Sequence, residues 1–437
     1  MHSTTALAAL AAGLFGQSLA MPLIVHPGDA GDIIIIPDEI HNGTLVGGTP
    51  AEGDGQPTSN PQLGLILQNN YAAAPINVYI TGQDTNGAIV FVLPDGTFYY
   101  PPTTTSTTPE LITENVAVPL GGKGSETSLS FPDYVSSGRI WIAAGDLMFY
   151  VVDAGGRAGL VEPSSTNPDD PSSGSNWGFV ELTNNAGGIY ADVSYVDFVG
   201  MPLGLSLQSA DGVQTVQGTS TDAVSEVCSA LQAQAAIDGA PWDALCVKDE
   251  AGTLLRVMAP ADYITLDNSA FQDYWTDYVN EVWEHYTSNT LTIDTQTSNG
   301  KVACTVVGDE LTCEGDNRGY AKPGPVDIFG CDSGPFAIAQ DDSDIHKAVV
   351  PRLCAAFVRS TLLIDGGDVQ PSLSSDNYYT VSPTNYYSKF VHEHELDGLG
   401  YAFAYDDVAA DGQPSAAGLV NNPNPEVLTV IIGGPSS

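Results

Sequence analysis

Short apolar runs separated by turn-forming residues dominate the chain from residue 31 to residue 215. Val, Ile, Tyr and Phe are dense within these runs, and Gly, Pro, Asn or Asp bound most of them, as in strands joined by turns. The clearest examples are GDIIIIPDEI, PINVYITGQD, GAIVFVLPDGTFYY, SGRIWIAAGDLMFYVVDAG and IYADVSYVDFVGMPLGLSL. This spacing predicts a β-sandwich or barrel domain over residues 31–215.

Longer segments with helical periodicity appear after residue 215. They are STDAVSEVCSALQAQAAIDG, NSAFQDYWTDYVNEVWEHYT and SDIHKAVVPRLCAAFVRSTLL. Each opens with Ser, Asp or Asn, which are residue types that cap helices. Residues 216–395 are therefore predicted to form a smaller α/β domain. Residues 396–437 return to strand character, and a last strand, EVLTVIIGG, that rejoins the first sheet would make the α/β domain an insertion.

The amino-terminal segment indicates secretion. Residues 1–28 contain no Asp, Glu, Lys or Arg, and the apolar run ALAALAAGLFG is followed by Ser-Leu-Ala at residues 18–20, a small-x-small cleavage pattern. Only His2 and the amino terminus supply positive charge before the run, which departs from the usual signal. We predict a signal peptide over residues 1–20 and an extracellular protein, with no membrane partner because no later apolar stretch is long enough to span a bilayer.

The cysteines support the same compartment, since they form an even set confined to one stretch of the chain. Pairing between sequence neighbours is the simplest connectivity, and it joins Cys228 to Cys246, Cys304 to Cys313 and Cys331 to Cys354. Gly308-Asp309 predicts a hairpin turn inside the middle pair. Asn42 begins the one N-glycosylation sequon, which suits a secreted surface loop.

The charge balance restricts the partners. There are 53 acidic and 12 basic residues, a formal net charge of −41, although only 15% of residues are charged and 43% are hydrophobic. The chain can therefore bury a core, while its surface repels nucleic acid and anionic lipid. A neutral polysaccharide is not repelled. Adaptation to acidic surroundings and adaptation to high salt both account for this composition.

Residues 391–397, VHEHELD, bring two histidines and three acids together. A strand would place His392 and His394 on one face, whereas a helix would separate them. Because no third ligand can be assigned, the sequence favours no metal site, and no cofactor is predicted.

The most informative stretch is NWGFVELTNNAGGIYADVSYVDFVGMPLGLSL. On a strand, Glu181, Thr183 and Asn185 project to one face, and this set can hold sugar hydroxyls. Asp197 lies in an apolar strand, where a carboxylate is ion-paired, hydrogen-bonded or exposed in a groove. No Lys or Arg lies between residues 158 and 247, so we expect a polar groove rather than a local ion pair.

The connection between the two strands decides whether Glu181 and Asp197 meet. A tight turn at residues 185–187 would carry Asp197 roughly 20 Å past Glu181, at ~3.3 Å per residue. A wide connection centred near Ile189 would place the two acids opposite each other. Spacing alone leaves both arrangements open, and our expectation of a shared groove depends on the wide one.

The same stretch resembles the catalytic segment of glycoside hydrolase family 64, the secreted endo-β-1,3-glucanases, and more distantly the thaumatin-like proteins. The shared features are Glu-x-Thr at residues 181–183, the Tyr-to-Ser segment at 190–194 and Val-Asp at 196–197, ahead of Pro202; Ala191 is an extra residue relative to the thaumatin-like spacing. Two further segments resemble the family, LVEPSSTNPDDP and HEHELDGLGYAFAYDDV. The resemblance runs from about residue 31 to the carboxyl terminus.

The resemblance implies a mainly β, α+β fold, in which a thaumatin-like domain and the smaller α/β domain flank a groove. It implies a monomeric, inverting endo-β-1,3-glucanase that acts on β-1,3-glucan, with Glu181 as general acid and Asp197 as general base. Inversion requires the two carboxyls to be roughly 6.5–9.5 Å apart.

Other residues take roles in substrate binding by the same resemblance. Thr183 and Asn185 match positions that contact glucan in the family, and Tyr190 falls where an aromatic sugar platform is expected. Asp192 and Asp407 would form part of an acidic cleft or brace its loops. The alternatives are a non-catalytic, thaumatin-like β-glucan-binding protein and a structural protein on the same scaffold, because a fold match does not by itself establish activity.

Overall fold

The computed structural model of the protein describes residues 21–31, 33, 62–72 and 75–435. The predicted signal peptide at residues 1–20, the sequon at Asn42 and most of the segment GDIIIIPDEI lie outside the described residues.

Strands carry most of the regular structure. In chain order they are β1 (Leu23–Ile24), β2 (Gly64–Asn69), β3 (Ile76–Gln83), β4 (Ile89–Val92), β5 (Phe98–Tyr99), β6 (Glu110–Leu111), β7 (Val118–Pro119), β8 (Ser125–Ser130), β9 (Val135–Ala144), β10 (Tyr150–Asp153), β11 (Ala158–Val161), β12 (Asn176–Asn185), β13 (Gly188–Val193), β14 (Phe198–Val199), β15 (Leu203–Ser209), β16 (Gly212–Val216), β17 (Cys246–Lys248), β18 (Leu254–Met258), β19 (Leu291–Asp294), β20 (Lys301–Val307), β21 (Glu310–Cys313), β22 (Val369–Gln370), β23 (Leu419–Asn422) and β24 (Pro425–Ile432). The other four segments that open the sequence analysis all form strands, as predicted.

Two large sheets organise the first half of the chain. One has the strand order β23-β13-β12-β9-β3-β4-β5, with β7 also paired to β3, and the other has the order β16-β15-β24-β2-β8. Alternate residues of both sheets enter one hydrophobic cluster, which includes Leu65, Leu67, Leu428 and Val430 from the second sheet and Val78, Ile80, Ile140, Ile142, Val180 and Leu182 from the first. Because side chains alternate along a strand, the opposite face of the first sheet is left for other residues.

That opposite face carries a second cluster, which is rich in aromatic side chains. It includes Tyr79, Trp141, Trp177 and Phe179, and Trp141 contacts both Trp177 and Phe179 with ring centroids 5.5 and 5.3 Å apart. This packing holds the central strands rigidly beside the polar residues that follow along the same face.

The α-helices all lie after residue 215 in the described part of the chain: α1 (Ala223–Asp238), α2 (Pro260–Leu266), α3 (Thr276–Ser288), α4 (Pro325–Gly330), α5 (Asp344–Val358) and α6 (Tyr386–His394). The three predicted helices correspond to α1, α3 and α5. Ser343 caps α5, accepting a hydrogen bond from the backbone N–H of His346 at 3.0 Å. Helix α3 begins later than its segment because residues 268–275 form successive turns. No helix in the described ranges combines the length and the apolar character that crossing a membrane requires.

The disulfides join sequence neighbours, as predicted. They link Cys228 to Cys246, Cys304 to Cys313 and Cys331 to Cys354. The predicted turn at Gly308-Asp309 connects β20 to β21.

The last strand returns to the first half of the chain. Strand β24 lies between β2, to which it is parallel, and β15, to which it is antiparallel, so EVLTVIIGG pairs as expected. Strand β14 also pairs with β18, and one core cluster continues from the two large sheets into the helical region. The division of the chain into an outer and an inserted domain stays a prediction.

Candidate active site

A row of polar residues crosses the first large sheet on its aromatic face. Arg139 of β9 is directly opposite Thr81 of β3 on one side and Glu181 of β12 on the other. Glu181 is in turn directly opposite Asp192 of β13. Directly opposed residues on neighbouring strands share a face and have Cβ atoms within about 5.5 Å, so the sheet itself brings one cation between these side chains.

The hairpin between β12 and β13 is tight, and our expectation of a wide connection near Ile189 is wrong. Pairing continues without interruption to Asn185 and Gly188, which leaves a two-residue turn. The Asn185 side chain accepts a hydrogen bond from the Gly187 N–H at 2.8 Å, a local bond that stabilises such a turn. Asp192, rather than Asp197, is therefore the direct partner of Glu181.

Asp197 is nevertheless near enough to Arg139 for its charge to act on that guanidinium, although beyond β13 the chain bonds to other segments. The Tyr195 N–H donates to the Tyr401 carbonyl at 2.7 Å, and the Asp197 carbonyl accepts from Ala259 N–H at 2.8 Å. The Asp197 side chain is half-buried. Burial raises its pKa; the Arg139 charge opposes that effect and the Glu181 charge adds to it.

Arg139 forms ion pairs with two carboxylates. Its Nε donates to Glu181 Oε1 and its Nη1 donates to Glu162 Oε2, both at 3.1 Å, while the guanidinium lies 4.7 Å from the centre of the Phe179 ring. Burial disfavours the charged guanidinium, but the carboxylates of Glu181, Glu162 and Asp197 outweigh this effect of burial and raise the pKa of Arg139. The expectation against a local ion pair concerned Asp197, and it stays a prediction; Glu181 instead pairs with a cation from the neighbouring strand, 42 positions away along the chain.

The carboxyls around this one guanidinium differ in exposure. The Glu181 side chain is 38% exposed, whereas that of Glu162 is 7% exposed. Burial, followed by the Glu181 charge, raises the pKa of Asp192 well above its ordinary value, although Arg139 opposes this. Glu181 is thus the more accessible of Arg139's two ion-pair partners, and Asp192 is held towards its neutral form.

The predicted sugar-binding residues line the same face beyond Glu181. Thr183 is directly opposite Tyr190, and its hydroxyl accepts a hydrogen bond from Ser137 N–H at 3.3 Å. Tyr190 is 42% exposed, whereas Trp177 and Tyr195 are 1% and 4% exposed. Tyr190 is therefore the aromatic residue of this segment that can stack on a pyranose ring.

Asp407 belongs to a different loop but acts on the same region. The residue as a whole is exposed, but partial desolvation of its carboxyl, followed by the neighbouring Asp406 charge, raises its pKa. The pKa of Tyr401 is raised by burial, then by Asp407 and Asp192. The loop that carries Asp407 therefore contributes negative charge near the row of polar residues.

Residues 61–432 match the sequence profile of Glyco_hydro_64, described as "Beta-1,3-glucanase". The chain belongs to glycoside hydrolase family 64. The resemblance noted in the sequence is thereby confirmed, and the protein is a glycoside hydrolase.

Similar proteins come from several bacteria. A glucan endo-1,3-β-glucosidase of Cellulosimicrobium cellulans is 27% identical over 410 residues, covering 91% of this chain and 71% of that protein. The crystal structure of a laminaripentaose-producing β-1,3-glucanase in complex with laminaritetraose has a TM-score of 0.75 at 24% identity, covering 85% of this chain and 99% of the other. A family 64 β-1,3-glucanase domain from Clostridium beijerinckii has a TM-score of 0.67 at 21% identity, covering 85% and 98%. The mostly β fold with several sheets agrees with these family 64 structures.

The histidine-rich segment of this family 64 chain is an ion-pair cluster. His392 lies on α6, and its ring nitrogens are 2.8 Å from Glu395 Oε2 and 2.9 Å from Asp406 Oδ2. Arg359 pairs with the other Asp406 oxygen at 2.9 Å. Within the described residues, no group of three or more metal-ligating side chains is placed to hold a metal ion.

Sequence reasoning missed Arg139 and Glu162. Both belong to segments that were noted, SGRIWIAAG as a strand and LVEPSSTNPDDP as a family-like segment. A signal was present, since Arg139 is a charged residue inside an apolar strand and such a charge requires a partner. The identity of that partner depended on strand order, which the sequence pattern does not contain.

Proposed function

We propose that this family 64 chain is a secreted endo-β-1,3-glucanase that hydrolyses β-1,3-glucan with inversion. Glu181 donates a proton to the glycosidic oxygen, and Asp197 activates the attacking water. The supporting observation is that the Arg139 guanidinium is surrounded by the carboxylates of Glu181, Glu162 and Asp197, with Asp192 opposite Glu181. Several carboxyls that share one cation cannot all ionise readily, so the group supplies both a protonated and an ionised member.

The roles follow from the environments of the two acids. Glu181 projects from an open sheet face, and an exposed carboxyl can reach the glycosidic oxygen. Asp197 is half-buried and its pKa is raised, which makes its carboxylate a stronger base near neutral pH.

Neutral glucan suits the rest of the site. Tyr190 offers a ring face, and Thr183 and Asn185 offer groups that form hydrogen bonds with sugar hydroxyls. Asp192 and Asp407 extend the acidic cleft, which excludes anionic polymers but not a neutral polysaccharide. The finer proposals follow the family resemblance: a thaumatin-like domain and an inserted α/β domain flanking the cleft, and a monomer that leaves the cell by its signal peptide.

The first test measures new reducing ends released from soluble β-1,3-glucan. Glu181→Gln keeps the shape of the side chain but has no proton to donate. We expect it to lose roughly 10²–10⁴-fold in kcat while glucan binding persists. Activity within a factor of about two of the unmodified protein would remove Glu181 from the role of acid. Binding by the unmodified chain without any release of reducing ends would instead favour a glucan-binding protein.

The stereochemical test follows the first-formed sugar by NMR before mutarotation. Inversion at a β-linkage yields the α-anomer first. Initial release of the β-anomer would overturn the role of Asp197 as base and indicate a covalent intermediate.

A further inference from the structure

Glu162 follows strand β11 directly and has no role in the proposed chemistry, yet both of its carboxylate oxygens are held. Oε1 accepts a hydrogen bond from the Thr81 hydroxyl at 3.0 Å, and Oε2 accepts one from Arg139 Nη1 at 3.1 Å. The side chain is 7% exposed, so it does not reach the open face where glucan would lie.

The direction of the hydrogen bond from Thr81 to Glu162 follows from a third residue. The indole N–H of Trp141 donates to the Thr81 hydroxyl oxygen at 3.0 Å. A hydroxyl has one proton, and that proton is therefore available for Glu162. Thr81 and Arg139 therefore each donate to one oxygen of the Glu162 carboxyl, an arrangement that favours the carboxylate.

This arrangement determines how Arg139 meets Glu181. Arg139 donates from Nη1 to Glu162 and from Nε to Glu181, so two carboxyls share the charge of one guanidinium. A guanidinium that engaged Glu181 through two parallel hydrogen bonds would stabilise the ionised carboxylate more strongly. Glu162 thus takes up part of the Arg139 charge that would otherwise act on Glu181.

We propose that Glu162 is a positioning residue that holds Arg139 by one arm and thereby keeps Glu181 able to carry the proton it donates. This inference rests on the proposed role of Glu181 as general acid. The charged groups that act here are Arg139 from β9, Asp192 from β13, Asp197 beyond β13, and Glu162 itself.

The test is the pH dependence of kcat/KM for release of reducing ends by Glu162→Gln. The amide retains the shape and can still accept from Thr81, but it cannot balance Arg139. The guanidinium then favours ionised Glu181, so we expect the alkaline limb of the profile to move to lower pH by roughly half a unit or more. At pH 7–8 kcat falls and is regained at lower pH, while KM changes little.

The matched control is Thr81→Val, which removes the hydrogen bond to Glu162 but retains every charge. A merely structural role for the chain Trp141–Thr81–Glu162 would give both variants a similar loss of stability and leave both profiles in place. An unmoved alkaline limb in Glu162→Gln overturns the proposal.

A double variant covers the case in which Glu162→Gln fails to fold, because Arg139→Gln removes the charge that has lost one of its two carboxylate partners. If Glu162 acts through Arg139, adding Glu162→Gln to Arg139→Gln should move the alkaline limb by less than about a third of the shift that Glu162→Gln causes alone. If Glu162→Gln alone is too unstable to measure, the limb of the double variant should stay close to that of Arg139→Gln. A shift of half a unit or more in the double variant overturns the proposal. The variant Glu181→Gln distinguishes failure of the proposed function from failure of this inference. If Glu181→Gln stays active, the proposed function fails. If Glu181→Gln is inactive and the alkaline limb of Glu162→Gln does not move, only the role of Glu162 is refuted.

Discussion

Asp192 and Glu181 are direct neighbours across two strands, but their surroundings give them different chemical roles. Burial and the Glu181 charge raise the pKa of Asp192, so Asp192 is neutral over a wider pH range than an ordinary aspartate. A neutral carboxyl can donate a hydrogen bond to a sugar hydroxyl or to Glu181 itself.

Asp192→Asn tests this assignment at the residue scale. Because the side chain it replaces is held towards its neutral form, we expect a loss of less than about tenfold in kcat, against the roughly 10²–10⁴-fold expected for removing a general acid. The comparison is made with Glu181→Gln under the same assay at pH 5. A loss in Asp192→Asn as large as that in Glu181→Gln would show that ionised Asp192 takes part in the reaction.

At the scale of elements, the tight turn between β12 and β13 sets the register of the whole site. Gly188 has φ +123°, a conformation that side chains rarely adopt. A Cβ atom at this position would also collide with the carbonyl of Asn422 and with Pro423. The register that places Asp192 beside Glu181 therefore depends on a glycine here.

Gly188→Ala should lower the free energy of unfolding by about 1–3 kcal/mol and reduce activity, because β13 carries both Tyr190 and Asp192. Gly122→Ala is the control: Gly122 is exposed and a Cβ there would meet nothing within 4 Å. Chemical denaturation of both variants is the measurement. Equal stability of the two would mean that the hairpin relaxes without cost.

The hydrophobic alternation in the sequence was sufficient to predict many strands of the first half, the three long helices and the return of EVLTVIIGG to the first half. It could not predict which strands are neighbours. The spacing of residues within one hairpin relates only Glu181 and Asp197 to each other. Arg139, which pairs with Glu181, lies on β9, a strand that precedes both acids in the sequence. Strand order is a property of the packed sheets, so the ion pairs of the site became visible only in three dimensions.

At the scale of the whole molecule, the buried groups His392 and Asp170 make stability fall as pH rises, whereas buried Asp406 has the opposite effect. Burial lowers the pKa of His392, but the carboxylates of Asp406 and Glu395 outweigh that effect and raise the pKa to about 10. The stabilisation of the fold by protonated His392 is therefore complete below the unfolded pKa of about 6.5 and is lost as pH rises towards 10. Burial raises the pKa of Asp170 to about 6, so ionising it costs stability as pH rises from about 4. The pKa of Asp406 is lowered despite its burial, chiefly by His392, and its contribution is lost only in strong acid.

We therefore expect the thermal unfolding midpoint to be higher at pH 5 than at pH 9 by several degrees. The net charge of −41 adds self-repulsion at the higher pH, and this part is screened by salt. His392→Gln should reduce the alkaline loss, and 1 M NaCl should reduce it further. A midpoint that is higher at pH 9 than at pH 5 would contradict the sign of these assignments.

The position of β24 determines when, during synthesis, the second large sheet can be completed. Its two partners, β2 and β15, are made early, but they remain apart until residues 425–432 arrive between them. A chain that emerges from the ribosome therefore presents two exposed strand edges until residues 425–432 are released. Truncation before residue 425 would leave both edges permanently open, so we expect such a product to aggregate rather than to work at reduced efficiency.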